Sequence, residues 1–208
     1  MPRAFTEEEW GRIRGRLLEA GRERFTRYGL RKTSVEELTR AVGISKGSFY
    51  RFFVSKEALY VELLARAMPE VEERVLSRSL GAATDAREAI VRFQQELVRE
   101  MDADELLRRL VTNPEELEHL IHSAPGDDPW RFRLGLFRPV LDWVKDTQDR
   151  GDIIREDPEV VASLLGMIQF LPTHEDDLDP AIYPKLMRLM VQVIADGLTC
   201  PAKKVRKG

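Results

Sequence analysis

Apolar residues recur at intervals of three and four positions through most of the chain, with polar residues between them. This spacing is typical of amphipathic α-helices, and no alternating stretch long enough for a β-strand interrupts it. The pattern predicts an all-α fold with about nine helices. The predicted helices span roughly residues 6–28, 34–41, 45–52, 55–78, 84–101, 103–122, 128–150, 157–171 and 180–198.

Capping side chains and prolines mark the helix starts. Thr6 and Glu9 form a predicted capping box, and four Asn-Pro or Asp-Pro dipeptides place a capping side chain before a residue suited to the first helical position. These dipeptides are Asn113-Pro114, which breaks the sixth predicted helix, Asp128-Pro129, Asp157-Pro158 and Asp179-Pro180. Three other prolines fall inside predicted helices, namely Pro69, Pro139 and Pro184, of which Pro184 lies near the start of the last one. Pro139 is expected to kink helix seven, either beside a cavity or simply around the core, and Pro69 to bend helix four or split it.

Residues 33–57 predict two short helices joined by a tight turn. Thr33 or Ser34 caps the first helix, and Gly43 supplies the left-handed residue that ends it. Ser45 caps the second helix, whose first turn, Lys46-Gly47-Ser48, is small and polar, while its phenylalanines face inward. This arrangement is typical of a helix-turn-helix, and such a helix end can enter the major groove of DNA.

The same segment resembles the N-terminal domain of the tetracycline-repressor (TetR) family of bacterial transcription regulators. The resemblance runs without gaps over about a quarter of the chain, and beyond residue 60 only the helical pattern and the length agree. The matching positions are Ile13, Leu17, Ala20, Phe25, Tyr28-Gly29, Thr33-Ser34-Val35, Leu38, Ala41 to Tyr50, Phe53 and Ser55 to Leu59.

The resemblance implies that different segments of the chain have different functions. Residues 1–54 are the expected DNA-binding domain, residues 55–200 a helical regulatory and dimerisation domain, and residues 201–208 a basic tail expected to be disordered. The implied function is that of a homodimeric repressor that binds a palindromic operator in double-stranded DNA and is released by a small molecule. The alternative is a DNA-bound protein-interaction module without a small effector, and the sequence does not separate the two.

The family match also implies a set of DNA contacts. Lys46 and Ser48 are expected to reach base edges, while Gly47 lets the backbone approach the DNA closely. Arg51 departs from the aromatic residue or histidine often found at its position, so both a guanine and a phosphate contact stay open. The expected phosphate contacts come from Thr33, Tyr50 and Lys56, with Ser34 and Ser45 as caps that also lie at the DNA.

The last two predicted helices, 157–171 and 180–198, carry strong apolar faces, which by themselves indicate ordinary core. The resemblance implies that part of this surface pairs with a second subunit. A dimer is also needed physically, because one short recognition helix reaches few base pairs and two copies about 34–36 Å apart read a palindrome. The predicted interface residues are Val161, Leu164, Leu165, Ile168, Leu186, Leu189, Met190, Val193 and Ile194.

The resemblance further implies an effector site between predicted helices four and eight, which would favour an apolar or aromatic ligand. The candidate lining residues are Met68, Phe93, Met101, His119, His122, Trp130, Arg133, Phe137, Met167 and Phe170. Helix four would link this site to the DNA-binding domain, because a helix is stiff over its length. No cofactor is expected.

Charge and composition restrict the other possibilities. The net charge of −3 hides a basic N-terminal part, since residues 1–60 carry 13 Lys and Arg against 8 Asp and Glu. No run of about 18 apolar residues is found, so we expect a soluble, cytoplasmic protein without a membrane partner. Cys200 is the only cysteine, which excludes an intrachain disulfide. His119 and His122 lie at a metal-binding spacing, but solvated helix faces explain them equally, and no catalytic motif is recognised, so neither a metal site nor an enzyme is predicted.

Overall fold

A computed structural model describes residues 5–123 and 138–199 of the 208-residue chain. Within these ranges it contains ten α-helices, one 3-10 helical segment and no β-strand, which confirms the predicted all-α fold. The α-helices are α1 (Glu7–Tyr28), α2 (Val35–Val42), α3 (Lys46–Phe52), α4 (Lys56–Arg78), α5 (Ala86–Ala103), α6 (Glu105–Thr112), α7 (Pro114–Ser123), α8 (Arg138–Arg150), α9 (Pro158–Gly166) and α10 (Tyr183–Thr199). The 3-10 segment, Met167–Asp177, follows α9.

Most predicted helix starts are confirmed by the hydrogen bonds of their caps. Thr6 and Glu9 form the reciprocal capping box of α1. The side chain of Asp157 accepts a hydrogen bond from the backbone N–H of Glu159 at 2.8 Å, and Pro158 begins α9. The predicted break at Asn113 is also present, but the Asn113 amide donates to the Arg109 carbonyl at 2.8 Å and so closes the end of α6.

The last third of the chain departs from the prediction. The α-helix predicted for 157–171 ends at Gly166 and continues as 3-10 helix. Two features explain the change. The Gly166 carbonyl accepts a hydrogen bond from the Gln169 side-chain amide at 2.9 Å, and Pro172 has no N–H to continue an α-helical ladder. The final helix begins at Tyr183, because Asp179 caps a turn by accepting from the Ala181 N–H at 2.7 Å.

The sequence predicts that Pro69 and Pro139 distort the helices that contain them. Pro69 lies inside α4, which is continuous over Lys56–Arg78, so it does not split the helix. Pro139 is the second residue of α8 as described, and Asp128-Pro129 with the rest of the predicted start lies outside the described residues. No described helix is long and apolar enough to cross a membrane.

The described residues form two compact units. The first consists of residues 5–68 and 105–123, and its core contains the fully buried side chains Leu17, Phe25, Leu38, Phe49, Leu59 and Leu106. The second consists of residues 69–104 and 138–199, where α5 packs against α9, α10 and the 3-10 segment. The boundary falls within α4, at Met68 and Pro69. The predicted functional division at residue 54 concerns activity rather than compactness, and it stays a prediction.

Candidate nucleic-acid interface

Local interactions fix the conformation of α2, the turn and α3. Ser34 and Glu37 form a capping box at the start of α2, and Gly43 ends the helix in the left-handed conformation with φ 78° and ψ 34°. Ser45 then caps α3 by accepting from the Ser48 N–H at 3.1 Å. Phe49 and Phe52 are buried and hold one side of α3 against the first unit. The predicted helix-turn-helix is therefore present in full.

The first turn of α3 faces solvent. Lys46 and Gly47 are exposed, Ser48 is half-buried, and Tyr50 is 49% exposed one turn further along. The Lys46 ammonium lies 2.5 Å from a carboxylate oxygen of Glu36 on α2. This contact raises the pKa of Lys46 and lowers the pKa of Glu36, chiefly through the hydrogen bond between them. The proposed base-reading lysine is thus charged and accessible, and it is paired within its own chain.

Two predicted phosphate contacts are occupied by internal hydrogen bonds. Thr33 is 1% exposed and its hydroxyl donates to the Gly29 carbonyl at 2.8 Å, so its prediction as a side-chain phosphate contact is wrong. Lys56 donates to the carbonyls of Leu30 and Thr33 at 2.7 and 2.9 Å. Its ammonium therefore holds the connection between α1 and α2, and at most one of its three N–H bonds is left for a phosphate.

Arg51 stacks on aromatic rings instead of pointing freely outward. Its guanidinium lies 5.0 Å from the ring centre of Phe5 and 5.6 Å from that of Trp10. Trp10 in turn stacks on Phe52 with ring centres 4.1 Å apart. This cluster ties α3 to the start of α1, and whether Arg51 leaves it to contact DNA stays an open prediction.

Comparison with known proteins supports the assignment that this geometry suggests. Residues 17–63, which include α2 and α3, match the family described as "Bacterial regulatory proteins, tetR family". The N-terminal part of the chain therefore has the helix-turn-helix DNA-binding domain of TetR-family transcriptional regulators.

Two curated relatives, both named as HTH-type transcriptional repressors, match different shares of the chain. The transcriptional repressor KstR2 of Mycobacterium tuberculosis is 45% identical over 24% of this chain and 26% of its own length. The transcriptional repressor DhaR of Mycobacterium sp. strain GP1 is 25% identical over 74% of this chain and 76% of its own. The chain thus spans about a quarter of the one relative and three quarters of the other.

The solved structure of the regulator FadR from Bacillus subtilis, in complex with stearoyl-CoA, has the same fold. It superposes with a TM-score of 0.64 and covers 88% of this chain and 98% of FadR, at 16% identity. At this identity the likeness concerns the fold alone. The similarity in fold therefore extends beyond residues 17–63.

The predicted dimer residues fall on two sides of their helices. Val161, Leu165 and Ile168 are at most 2% exposed within the chain, so they are core, and their prediction as interface residues is wrong. Leu164, Leu189 and Val193 are exposed, while Leu186, Met190 and Ile194 are half-buried. Three further apolar residues that were not among the predicted interface residues are also exposed, namely Val160, Met167 and Ile182.

The predicted effector residues do not form one group. Phe93 and Met101 are buried in the second unit and Phe170 is half-buried there, but Met167 is 55% exposed and does not belong to an interior lining. Met68 is buried at the end of the first unit. Trp130, Arg133 and Phe137 lie outside the described residues.

The two histidines make local contacts in the first unit. His119 Nε2 lies 3.3 Å from Glu57 Oε1, and His122 Nδ1 lies 2.8 Å from the Glu118 carbonyl. Within residues 5–123 and 138–199, no group of three or more His, Cys, Asp or Glu side chains is arranged to hold a metal ion. Both histidines are exposed, which removes them from an interior effector site.

Gln94 is a candidate that the sequence analysis overlooked. It lies on α5 and is 0% exposed, and neither its amide nitrogen nor its amide oxygen has a hydrogen-bond partner among residues 5–123 and 138–199. Nearly all buried amides are hydrogen-bonded, so an unpaired one indicates a functional role or a bound molecule that completes its hydrogen bonds. The signal in the sequence is one polar residue in the apolar stripe of Ile90, Phe93, Leu97 and Met101.

Proposed function

We propose that this chain is a homodimeric repressor that reads a palindromic operator through α3 and is released from it by a small molecule. The observation that carries the proposal is the exposed first turn of α3. Its small side chains and its lysine stand free of the core, while Phe49 and Phe52 anchor the opposite side of the helix. A recognition helix needs this combination, because the reading side must enter the major groove without moving relative to its support.

An exposed apolar surface on α9, the 3-10 segment and α10 supports the dimer. Val160, Met167, Leu189 and Val193 are each at least 55% exposed, and Leu164 is 40% exposed. Large apolar residues concentrated on a few helices mark protein contact sites more often than isolated ones do. The proposed interface therefore consists of these residues, with half-buried Leu186, Met190 and Ile194 at its margin.

Gln94 supports an effector site in the interior of the second unit. A ligand that offers a carbonyl or carboxylate oxygen together with an N–H or O–H group would satisfy both ends of the buried amide. The aromatic and apolar side chains near it along α5, such as Phe93 and Met101, favour an apolar body for that ligand. An acyl or aromatic compound with one such polar head fits this description.

Selection of binding sites from random double-stranded DNA, with the purified full-length chain, tests the DNA-binding part. We expect one enriched palindrome whose half-sites are separated by about one helical turn. The Lys46→Ala variant should select different bases from the wild type. The Lys145→Ala variant loses the same charge at an exposed position of α8 and should select the wild-type sequence. Failure of the wild type to enrich any sequence would refute operator reading.

A thermal-shift screen tests the effector part. Acyl-CoA esters, fatty acids and substituted phenols are added to the purified protein, since a ligand that binds only the folded state raises its melting temperature. A hit should stabilise the wild type and not Gln94→Leu. A hit that also lowers operator affinity supports the repressor, and a hit that leaves operator affinity unchanged favours the protein-interaction alternative.

A further inference from the structure

The connection between α1 and α2 turns at Gly29, which adopts φ 82° and ψ 167°. This region of backbone conformation is essentially restricted to glycine. Gly29 is also buried, so the turn is both conformationally unusual and enclosed by other side chains. The direction in which α2 leaves α1 therefore depends on what surrounds this residue.

An ion pair from α6 and α7 lies directly against Gly29. Arg109 donates to both carboxylate oxygens of Glu116, with Nη2 to Oε1 at 2.8 Å and Nε to Oε2 at 3.3 Å. A Cβ atom added to Gly29 would lie 2.1 Å from Arg109 Nη2 and 2.2 Å from Glu116 Oε1. The charged groups of the pair thus pack on the glycine backbone without a gap.

The burial of this pair distinguishes it from most others in the first unit. The Glu116 side chain is 8% exposed and that of Arg109 is 26% exposed. The neighbouring pair from α7 to the same connection, Arg31 with Glu115, is 69% and 80% exposed. Exposed pairs contribute little to a conformation, whereas removal of one partner from a buried pair leaves an uncompensated charge.

The rest of the connection is held by three hydrogen bonds from the α2 and α4 sides. The Thr33 hydroxyl donates to the Gly29 carbonyl, and Lys56 donates to the carbonyls of Leu30 and Thr33. Ser34 caps α2, which is linked to α3 by the short turn at Gly43 and by the ion pair between Glu36 and Lys46. Because these hydrogen bonds tie Gly29 to the residues that precede α2, we expect a shift of Gly29 to be passed to α2 and, through its contacts with α3, to the recognition helix.

We propose that Arg109 and Glu116 are positioning residues for DNA reading: by packing on Gly29, they set the path of the α1–α2 connection and hence the placement of α3. This inference rests on the proposed reading of DNA by α3 and extends it to residues outside the helix-turn-helix. It also assigns α6 and α7 an indirect role in operator recognition, through the support of Gly29. A change that moves either helix alters the support of Gly29.

The test compares Glu116→Gln with Glu115→Gln in the full-length protein. Both changes remove one negative charge from the first turn of α7, so their long-range electrostatic effects on DNA are matched. Affinity is measured for the selected operator and for a scrambled duplex of equal length. We expect Glu116→Gln to lower operator affinity by about tenfold, comparable with one mismatched base pair, while scrambled-duplex affinity stays near that of Glu115→Gln. Equal operator affinities for the two variants would overturn the proposal.

A double variant separates positioning from general stability. Arg109→Met with Glu116→Leu replaces the pair by apolar side chains, a change that often leaves stability unaltered. We expect normal thermal unfolding with reduced discrimination between operator and scrambled DNA. Wild-type discrimination in this variant would show that the ion pair does not position α3.

Hydrogen exchange gives a readout that does not depend on DNA. Amides of residues 29–34 should exchange faster in Glu116→Gln than in Glu115→Gln, because the support of the connection is weakened. Unchanged exchange there would overturn the proposal. If the wild type selects no DNA sequence but the exchange difference is found, the proposed function fails while the structural role of the pair stands.

Discussion

Lys46 at the start of α3 forms its ion pair with Glu36 on α2, across the turn of the helix-turn-helix. Both side chains are about half exposed, so neither is removed from solvent. If Lys46 contacts DNA as proposed, the Glu36 carboxylate competes with the DNA for the Lys46 ammonium.

The first prediction follows from that competition. Glu36→Gln should raise the affinity for the operator by a few-fold, because Lys46 no longer has to leave a carboxylate and one repulsive charge is gone. Fluorescence anisotropy with labelled operator at several salt concentrations measures the effect. Glu23→Gln, at an exposed position of α1, is the charge-matched control. An equal gain in operator affinity in both variants would argue against competition at Lys46.

The second prediction concerns acid stability and the contact between Arg14 on α1 and Glu62 on α4. The guanidinium of Arg14 donates to both Glu62 oxygens and lowers the pKa of that carboxyl below its ordinary value of about 4.5. Because the folded-state pKa is lowered, the stabilisation is fully present above pH 4.5 and is lost as the pH falls through the folded-state value. Urea unfolding between pH 7 and pH 3 should therefore show a smaller loss for Glu62→Gln than for the wild type. Parallel curves for the two proteins would contradict this assignment.

The third prediction concerns the exposed apolar surface. Leu189→Glu and Val193→Glu should give folded monomers, because these side chains are 60% exposed within the chain and lose little packing there. An unpaired carboxylate buried in a dimer interface is costly, so assembly should fail. Sedimentation velocity and circular dichroism measure the two effects. Val54→Glu, at an exposed apolar residue of the first unit, is the control and should remain dimeric.

The fourth prediction concerns Gln94. Replacement by leucine should stabilise the ligand-free protein by about 1–3 kcal/mol, since the penalty for burying an unpaired amide is removed. Gln169→Leu should not stabilise it, because the Gln169 amide is hydrogen-bonded to the Gly166 carbonyl. Chemical denaturation of both variants gives the comparison. Destabilisation by Gln94→Leu would indicate that the amide is satisfied in solution, for example by an ordered water.

Local features of the fold were predictable because their causes lie within a few residues. The boxes of Thr6 with Glu9 and Ser34 with Glu37 each join residues three apart. Gly43 ends α2 because glycine accepts the left-handed conformation at little cost. Such signals fixed the helix-turn-helix almost to the residue, and with it the exposed first turn of α3.

Long-range relationships were not predictable in the same way. Nothing in the local sequence indicates that Arg109 and Glu116 pack on Gly29, or that Lys56 is bonded to the carbonyls of Leu30 and Thr33. Periodicity identified the apolar stripes of α9 and α10 but not which edge of each stripe faces the core. Leu164 and Leu165 are adjacent in sequence, yet one is 40% exposed and the other fully buried.

The 11-residue 3-10 segment after α9 is longer than an α-helix with the same number of residues would be. A 3-10 helix rises about 2.0 Å per residue and an α-helix about 1.5 Å, and 3-10 runs of this length are uncommon because their hydrogen bonds are less well aligned. Rewinding the segment into α-helix would shorten it by about 5 Å, roughly one helical turn. Because Pro172 has no N–H to donate to an α-helical ladder, the segment keeps this extra length, and it sets how far the chain runs from the end of α9 before it turns toward α10.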